Sequence, residues 1–147
     1  MVSTRNREMG KIVTRMTVTN RIDRADFDRQ MIAADKIRSI TLNNVLIDTG
    51  ATTLCLPADI IEGLGLSLLK EVDVEMASGI RKARIFRDAT INLCDREGTF
   101  ECLELPGGRN PLVGVISLEA LGIELDLKNQ RLFTLPISPT ETYLTIL

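Results

Sequence analysis

The stretch Val45-Leu46-Ile47-Asp48-Thr49-Gly50-Ala51 passes from three apolar residues to an acidic residue and then to a turn of small residues. This order predicts a buried strand that ends at Asp48 and is followed by a glycine turn. A β-turn aspartate is the simplest interpretation, because Asp-Thr-Gly also occurs by chance. The segment that follows argues against a chance occurrence of this tripeptide. A short strand at residues 54–56 leads to Pro57, which opens a predicted helix that Gly65 ends.

Three predicted segments lie upstream of this stretch or overlap it. Residues 11–19 alternate apolar and polar side chains, which predicts a strand. Residues 20–35 are rich in charge and predict a surface excursion, with a short helix near residues 25–33. Residues 37–48 predict two strands around a turn at Asn43-Asn44, because asparagine tolerates positive φ.

Downstream, residues 70–76 alternate cleanly and place Val72, Val74 and Met76 on one face. Ser78-Gly79 then predicts a hairpin tip, and residues 80–87 predict the returning strand.

The last third of the chain predicts a short helix and several more strands. Ser117 is the expected N-cap of this helix, which stops at Gly122. The tail at residues 136–147 contains a strand candidate at 142–147. The other predicted strands cover residues 89–94, 99–105, 123–127 and 131–135.

The composition agrees with a β-rich chain. Of the 147 residues, 44% are hydrophobic but only 3% are aromatic, so the core must be built from valine, isoleucine, leucine and methionine. We therefore expect one domain over residues 1–147, mainly β, forming a small closed or sandwich-like barrel with one or two short helices. Residues 1–36 would supply its N-terminal strand and the surface excursion.

The missing residue types exclude several chemistries. The chain has no histidine and no Cys-X-X-Cys pair, which argues against Ser-His-Asp and Cys-His nucleophiles and against a zinc site. No glycine-rich phosphate loop is present. A net charge of −2 gives no sign of nucleic-acid binding. We expect neither a metal nor a cofactor.

The N-terminal arm is locally basic, with Arg5, Arg7, Lys11 and Arg15. A solvated terminus is the favoured interpretation, and contact with nucleic acid or anionic lipid is the alternative. No apolar run is long enough to cross a membrane, and no apolar leader is visible. Cys55, Cys94 and Cys102 form an odd set, which favours reduced thiols over a bridge between Cys94 and Cys102. We expect a cytoplasmic protein without membrane contact.

In the order of its motifs, the chain resembles the retropepsin-like aspartic proteases, in particular the small bacterial members with one domain per chain. The apolar-apolar-Asp-Thr-Gly-Ala motif of that family is matched by Leu46 to Ala51. Its flap hairpin is matched by residues 70–87. Its later apolar-apolar-Gly segment and short helix are matched by Leu112-Val113-Gly114 and residues 117–121. The resemblance covers residues 37–133.

The resemblance implies a retropepsin-like closed β-barrel that acts as a dimer. It implies that Asp48 is catalytic and that Thr49, Gly50 and Ala51 support the active-site loop, with the Thr49 hydroxyl bonding across the dimer axis. Leu112, Val113 and Gly114 would support that loop from the neighbouring segment. The implied substrate contacts are in the flap, at Met76, Ala77, Ser78, Gly79 and Ile80.

The chain departs from the retroviral pattern at an ion pair. The family's aspartate after the motif and its arginine after the later glycine are replaced by Thr52 and Val115, so no lone buried charge remains. We expect apolar contacts and strand pairing to hold the dimer instead, with residues 11–19 and 142–147 as candidates. Ala51 cannot donate the hydrogen bond that a serine would give, which predicts activity at milder pH.

The leading hypothesis is a homodimeric aspartic endopeptidase that cuts extended polypeptides, with each copy supplying one Asp48. Two alternatives stay open. The first is a non-catalytic dimeric domain that binds peptides or supports assembly with the same fold. The second is an unrelated β-domain with an accidental Asp-Thr-Gly. An intact Asp48-Thr49-Gly50 favours catalysis, because a pure binder has no need for a carboxylate pair.

Overall fold

The computed structural model describes residues 11–136. The basic positions Arg5 and Arg7 and the strand candidate at 142–147 lie outside this range. Within it the fold is mainly β, as expected. In chain order the elements are β1 (Lys11–Asn20), α1 (Arg21–Asp28), a one-turn 3-10 helix (Ala34–Lys36), β2 (Ser39–Asp48), β3 (Leu54–Pro57), α2 (Ala58–Leu64), β4 (Ser67–Met76), β5 (Gly79–Leu93), β6 (Arg96–Leu105), β7 (Leu112–Val113), α3 (Val115–Leu121), β8 (Ile123–Asp126) and β9 (Arg131–Thr134).

Six strands form a closed ring of pairings. The main sheet has the order β1-β2-β7-β3-β6-β5-β4, and β1 also pairs with β5. The ring therefore closes between β1 and β5, and β4 lies outside it, along the first half of β5. Strands β8 and β9 make a separate antiparallel hairpin, at the predicted position.

The interior of the ring is aliphatic. Val18, Val45, Ile47 and Ile91 are fully buried there. On β2 the burial alternates, so Val45 and Ile47 are buried while Leu46 and Asp48 are only half-buried. Because successive side chains of a strand point to opposite faces, the strand that anchors the core places the Asp48 carboxylate on the other face.

The predicted turn at Asn43-Asn44 is wrong, because β2 continues through both residues. The register with β1 runs from Leu42 opposite Met16 to Val45 opposite Thr14. Three steps on β2 therefore match two on β1, and the extra residue forms a β-bulge. Two asparagines tolerate this irregularity as well as they would a turn, and pairing with β1 decides between the two.

The predicted break near residue 88 is also wrong, because β5 is one strand from Gly79 to Leu93. Its pairing with β6 steps from Phe86 opposite Cys102 to Ala89 opposite Phe100, which is a second bulge. Asp88 lies in this bulge with a φ of 68°. The outer strand β4 covers one half of β5, and β1 and β6 cover the other, so the chain stays extended across the irregularity.

The helices differ from the prediction in number and in their starting residues. Three α-helices occur among the described residues, where one or two were expected. The helix expected near residues 25–33 begins at Arg21, because the Asn20 side chain accepts the Asp23 N–H at 3.1 Å as an N-cap. Gly65 and Gly122 end α2 and α3 in the left-handed conformation, as predicted.

Ser117 is not the N-cap of α3. The helix begins two residues earlier, at Val115, and Ser117 lies inside it at 1% exposure. Its hydroxyl has no hydrogen-bond partner within the described part of the chain. Similarly, Pro57 lies at the N-cap of α2, one position before the first helical residue.

Candidate functional site

The Asp48 motif and the later glycine segment are adjacent, as the resemblance implied. Strand β2 pairs in parallel with β7, with Leu46 opposite Leu112 and Ile47 opposite Val113. The Leu46 N–H also donates to the Pro111 carbonyl at 2.9 Å. Two segments more than 60 residues apart thus leave the ring side by side, and the chain turns away at Asp48 and at Gly114.

The turn after β2 folds back onto the Asp48 carboxylate. The Gly50 N–H donates to the Asp48 Oδ1 at 2.9 Å, and the Ala51 N–H donates to the Asp48 carbonyl at 3.0 Å. A Cβ atom on Gly50 would lie 3.2 Å from the same Oδ1, so glycine lets the amide approach closely. Thr49 is exposed at the apex of this turn. The half-buried carboxylate is therefore oriented by its own backbone.

The loop after Asp48 is braced by the start of α3. The Val115 N–H donates to the Ala51 carbonyl, and the Ile116 N–H donates to the Thr52 carbonyl, both at 3.0 Å. The first N–H groups of a helix have no partner within the helix. Here the candidate site supplies the acceptors for two of them, which explains why α3 has no side-chain cap.

Gly114 lets the two loops make this contact. A Cβ atom at position 114 would lie 2.5 Å from the Ala51 carbonyl oxygen and 2.7 Å from backbone atoms of Thr52 and Thr53. All three are main-chain atoms that cannot rotate away. The glycine in the Leu112-Val113-Gly114 segment is therefore required by a close approach of two backbones.

A buried thiol lies close to the carboxylate. Burial, and to a smaller extent the negative charge of Asp48, raises the pKa of Cys55 to about 11. Burial also raises the pKa of Cys102 to about 12. All three cysteines are free, so the bridge considered between Cys94 and Cys102 is absent. Thiols this weakly acidic are poor nucleophiles at neutral pH.

The predicted hairpin is confirmed, with its turn one residue earlier than expected, and its tip is exposed. Met76 pairs with Gly79 at the end of the β4–β5 ladder, and Ala77-Ser78 form the turn. Gly79 has a φ of 117°. Met76 is 45% exposed and Ile80 is 71% exposed, which leaves two large apolar side chains in solvent.

The concave side of the hairpin encloses a pocket of about 400 Å³. Its other wall is the end of β6 with the loop that follows. The lining residues are Val74, Met76, Ser78, Arg81, Lys82, Ala83, Leu103, Glu104, Leu105, Pro106 and Arg109. None of the residues from Asp48 to Ala51 lines it. This pocket therefore does not join the hairpin to the Asp48 loop.

Nothing in the sequence indicated the arginines of this pocket or the bracing role of Thr52 and Val115. A charged residue in a loop, such as Arg109, has no local pattern that distinguishes it from a solvated side chain. No cluster of three potential metal ligands occurs in the described range. No helix there is both long and apolar enough to cross a bilayer.

Neither the protein-family models nor the curated proteins contain a match to this chain.

Proposed function

We propose that the protein is an aspartic endopeptidase whose active site forms when two copies bring their Asp48 side chains together. The observation that carries the proposal is the construction of the Asp48 loop. The end of β2 that carries the buried Val45 and Ile47 leads to a half-buried carboxylate, the Gly50 N–H holds one of its oxygens, and the Gly114 segment braces the loop behind it. Such a rigid support is what a catalytic carboxylate needs.

The proposal also draws on the resemblance to retropepsin-like proteases. The closed ring of strands and the β4–β5 hairpin support the proposal, because a barrel and a flap hairpin are what the resemblance implies. One carboxylate cannot act as acid and base toward the same water at once, whereas two that share a proton can. With one such motif in the chain, a two-fold related copy is the source of the second.

The reaction follows from this pairing. The ionised Asp48 accepts a proton from a water molecule as the water oxygen attacks the scissile carbonyl carbon. The protonated Asp48 of the second copy donates a hydrogen bond, and then its proton, to the carbonyl oxygen. Collapse of the tetrahedral intermediate breaks the C–N bond, and the amine leaves with a proton from the dyad.

Substrate would bind as an extended polypeptide. An extended chain offers its main-chain groups for hydrogen bonds and alternates its side chains between pockets. The β4–β5 hairpin would close over it and exclude water. The exposed Met76 at the tip, which also lines the pocket, then gains an apolar contact, which favours apolar residues at the cleaved bond.

The first experiment compares wild type with Asp48→Asn on a mixed peptide library from mildly acidic to neutral pH, read by mass spectrometry. Asp28→Asn, on exposed helix α1, is the control for the loss of one carboxylate. Cleavage by wild type and the control but not by Asp48→Asn supports the proposal. Equal cleavage by Asp48→Asn contradicts it.

A second experiment tests the shared site. Inactive Asp48→Asn chains are added in excess to a fixed amount of wild type, so that most wild-type chains enter mixed dimers. If both carboxylates are required, activity falls to a few per cent of its starting value, whereas excess Asp28→Asn leaves it unchanged or increased. Activity that does not respond to Asp48→Asn would indicate a site complete within one chain.

The second candidate is a dimeric peptide-binding domain without catalysis. It is favoured by one observation, namely that the pocket under the hairpin is not lined by the Asp48 loop. Under this alternative, wild type binds labelled peptides but cuts none of them, and Asp48→Asn binds them equally well.

A further inference from the structure

The pocket under the β4–β5 hairpin combines an apolar wall with an uneven set of charges. Val74, Met76, Leu103 and Leu105 supply the apolar part. The charged lining residues are three cations, Arg81, Lys82 and Arg109, and one anion, Glu104. What the pocket can bind depends on which of these charges already form an ion pair or a hydrogen bond with a neighbouring residue.

Two of the charges are matched within the fold. Lys82 lies opposite Asp73 on the hairpin and forms an ion pair with it at 3.3 Å. Glu104 accepts two hydrogen bonds from the guanidinium of Arg84, at 2.9 and 2.8 Å. Bidentate pairs of this kind have a fixed, planar geometry. The one carboxylate of the pocket is therefore already bound by an arginine that does not line it.

Two arginines are left unmatched. Arg81 lies opposite Val74, and directly opposed residues of a ladder share a face, so its side chain lies on the face of the hairpin that carries the apolar wall. Arg109 is on the facing loop, which is turned by the Arg109 N–H bond to the Pro106 carbonyl at 3.4 Å. Across residues 11–136, neither guanidinium forms an ion pair or a side-chain hydrogen bond.

We propose that this pocket binds an acidic side chain of the polypeptide substrate, with Arg81 and Arg109 holding its carboxylate from opposite walls. The inference rests on the proposed peptidase function and specifies its substrate class. Val74, Leu103 and Leu105 contact the methylene stem of the bound residue. A guanidinium presents paired donors that match a carboxylate. The lining thus fits a glutamate or an aspartate better than a neutral polar residue.

The effect should appear as selectivity between a charged residue and its neutral isostere. Hydrogen bonds to charged groups change binding by about tenfold to a hundredfold. Exposed guanidinium groups are partly screened by solvent and salt, so we expect the lower end of that range. Raising the ionic strength should reduce the preference without reducing cleavage of the neutral peptide.

The test uses a set of cleavable peptides in which each position in turn carries either glutamate or glutamine. Wild type, Arg81→Gln and Arg109→Gln are compared, with Arg87→Gln on the same strand as a control for the lost positive charge. We expect wild type and Arg87→Gln to cut the glutamate peptide about tenfold faster (kcat/KM) at one position. Both pocket variants should lose that preference, measured for each variant as the ratio of its rate on the glutamate peptide to its rate on the glutamine peptide.

Equal rates on both peptides at every position would overturn the inference and leave the peptidase function standing. The same peptides, labelled with a fluorophore, are also titrated into Asp48→Asn and followed by anisotropy. If wild type cuts nothing, the peptidase proposal fails, and the proposed role of the pocket is then tested by peptide binding alone. Tighter binding of the glutamate peptide that is lost on Arg81→Gln then supports the acidic subsite, and equal binding of the two peptides refutes it.

Discussion

The N–H of Val115 donates a 3.0 Å hydrogen bond to the carbonyl oxygen of Ala51. This bond joins the first turn of α3 to the loop that follows Asp48. It exists only because Gly114 has no side chain, since a Cβ there would lie 2.5 Å from the same carbonyl oxygen. The position of the loop that follows Asp48 thus depends on a close contact with the start of α3.

The first prediction concerns Gly114→Ala. The added methyl group would overlap main-chain atoms of Ala51, Thr52 and Thr53, so the two loops must separate. We expect a loss of about 1–3 kcal/mol in the free energy of unfolding, measured by urea denaturation. Cleavage should fall more than the folded fraction does, because the Asp48 loop moves with its brace.

Gly63→Ala is the matched control. Nothing lies within 4 Å of a Cβ at position 63, which is inside helix α2. Alanine is the better helix former, so stability should rise by about 0.5–1 kcal/mol. If Gly114→Ala were as harmless as Gly63→Ala, the close approach of the two loops would not occur in solution.

The second prediction is a pH dependence of stability that arises from Asp23. The hydrogen bonds from the Arg38 guanidinium, at 2.8 and 3.0 Å, lower the pKa of this buried carboxyl below its ordinary value, although burial opposes them. A carboxyl whose pKa is lower in the folded state stabilises the fold above its unfolded pKa. That contribution is lost as the pH falls through the lowered value.

Asp23→Asn should therefore cost about 1–2 kcal/mol of unfolding free energy at neutral pH. The difference from wild type should shrink in strongly acidic solution, where the wild-type carboxyl is itself protonated. Asp28→Asn, on the same helix but exposed, should change stability little at either pH. A constant deficit for Asp23→Asn at all pH values would mean that shape, and not charge, explains it.

The third prediction concerns thiol reactivity. Cys94 is exposed, whereas Cys55 and Cys102 are buried with pKa values raised to about 11 and about 12. Native protein should therefore show one thiol that reacts readily with a disulfide reagent and two that react only on unfolding. The Cys94→Ser variant should lack the fast phase. Two rapidly reacting thiols in the native protein would contradict the burial of Cys55 and Cys102.

The fourth prediction concerns the β5–β6 turn. Cys94 and Asp95 both have positive φ, 54° and 60°, between the paired residues Leu93 and Arg96. Two-residue hairpin turns with this geometry favour glycine at the second position. Asp95→Gly should raise the free energy of unfolding by up to about 1 kcal/mol. Glu97→Gly, one step into the strand, should lower it, because glycine weakens a strand interior.

The sequence predicted those parts of the molecule that local geometry controls. The alternation at residues 70–76 indicated a strand with Val72, Val74 and Met76 on one face, because the side-chain period of a strand is fixed. Gly65 and Gly122 marked the ends of two helices, because few other residues adopt the left-handed conformation. The hairpin tip near Ser78-Gly79 followed from the same kind of signal.

Other features depended on partners that are distant in the chain. Asn43-Asn44 would suit a turn or a bulge, and pairing with β1 made it a bulge. Likewise, β1 and β6 on either side of β5 kept it as one strand past Asp88. Local patterns cannot distinguish these outcomes, because the deciding hydrogen bonds come from strands elsewhere in the sequence.

The same distinction between local and distant determinants applies to the candidate site. The sequence by itself determined that a strand delivers Asp48 to a glycine turn, since the apolar run and the small residues that follow are contiguous. Only the tertiary structure placed Gly114 against Ala51 and gathered Arg81 and Arg109 around one pocket. The reason is physical: a close approach between backbones, or a charge without a partner, is defined by what the fold places beside it and leaves no pattern along the chain.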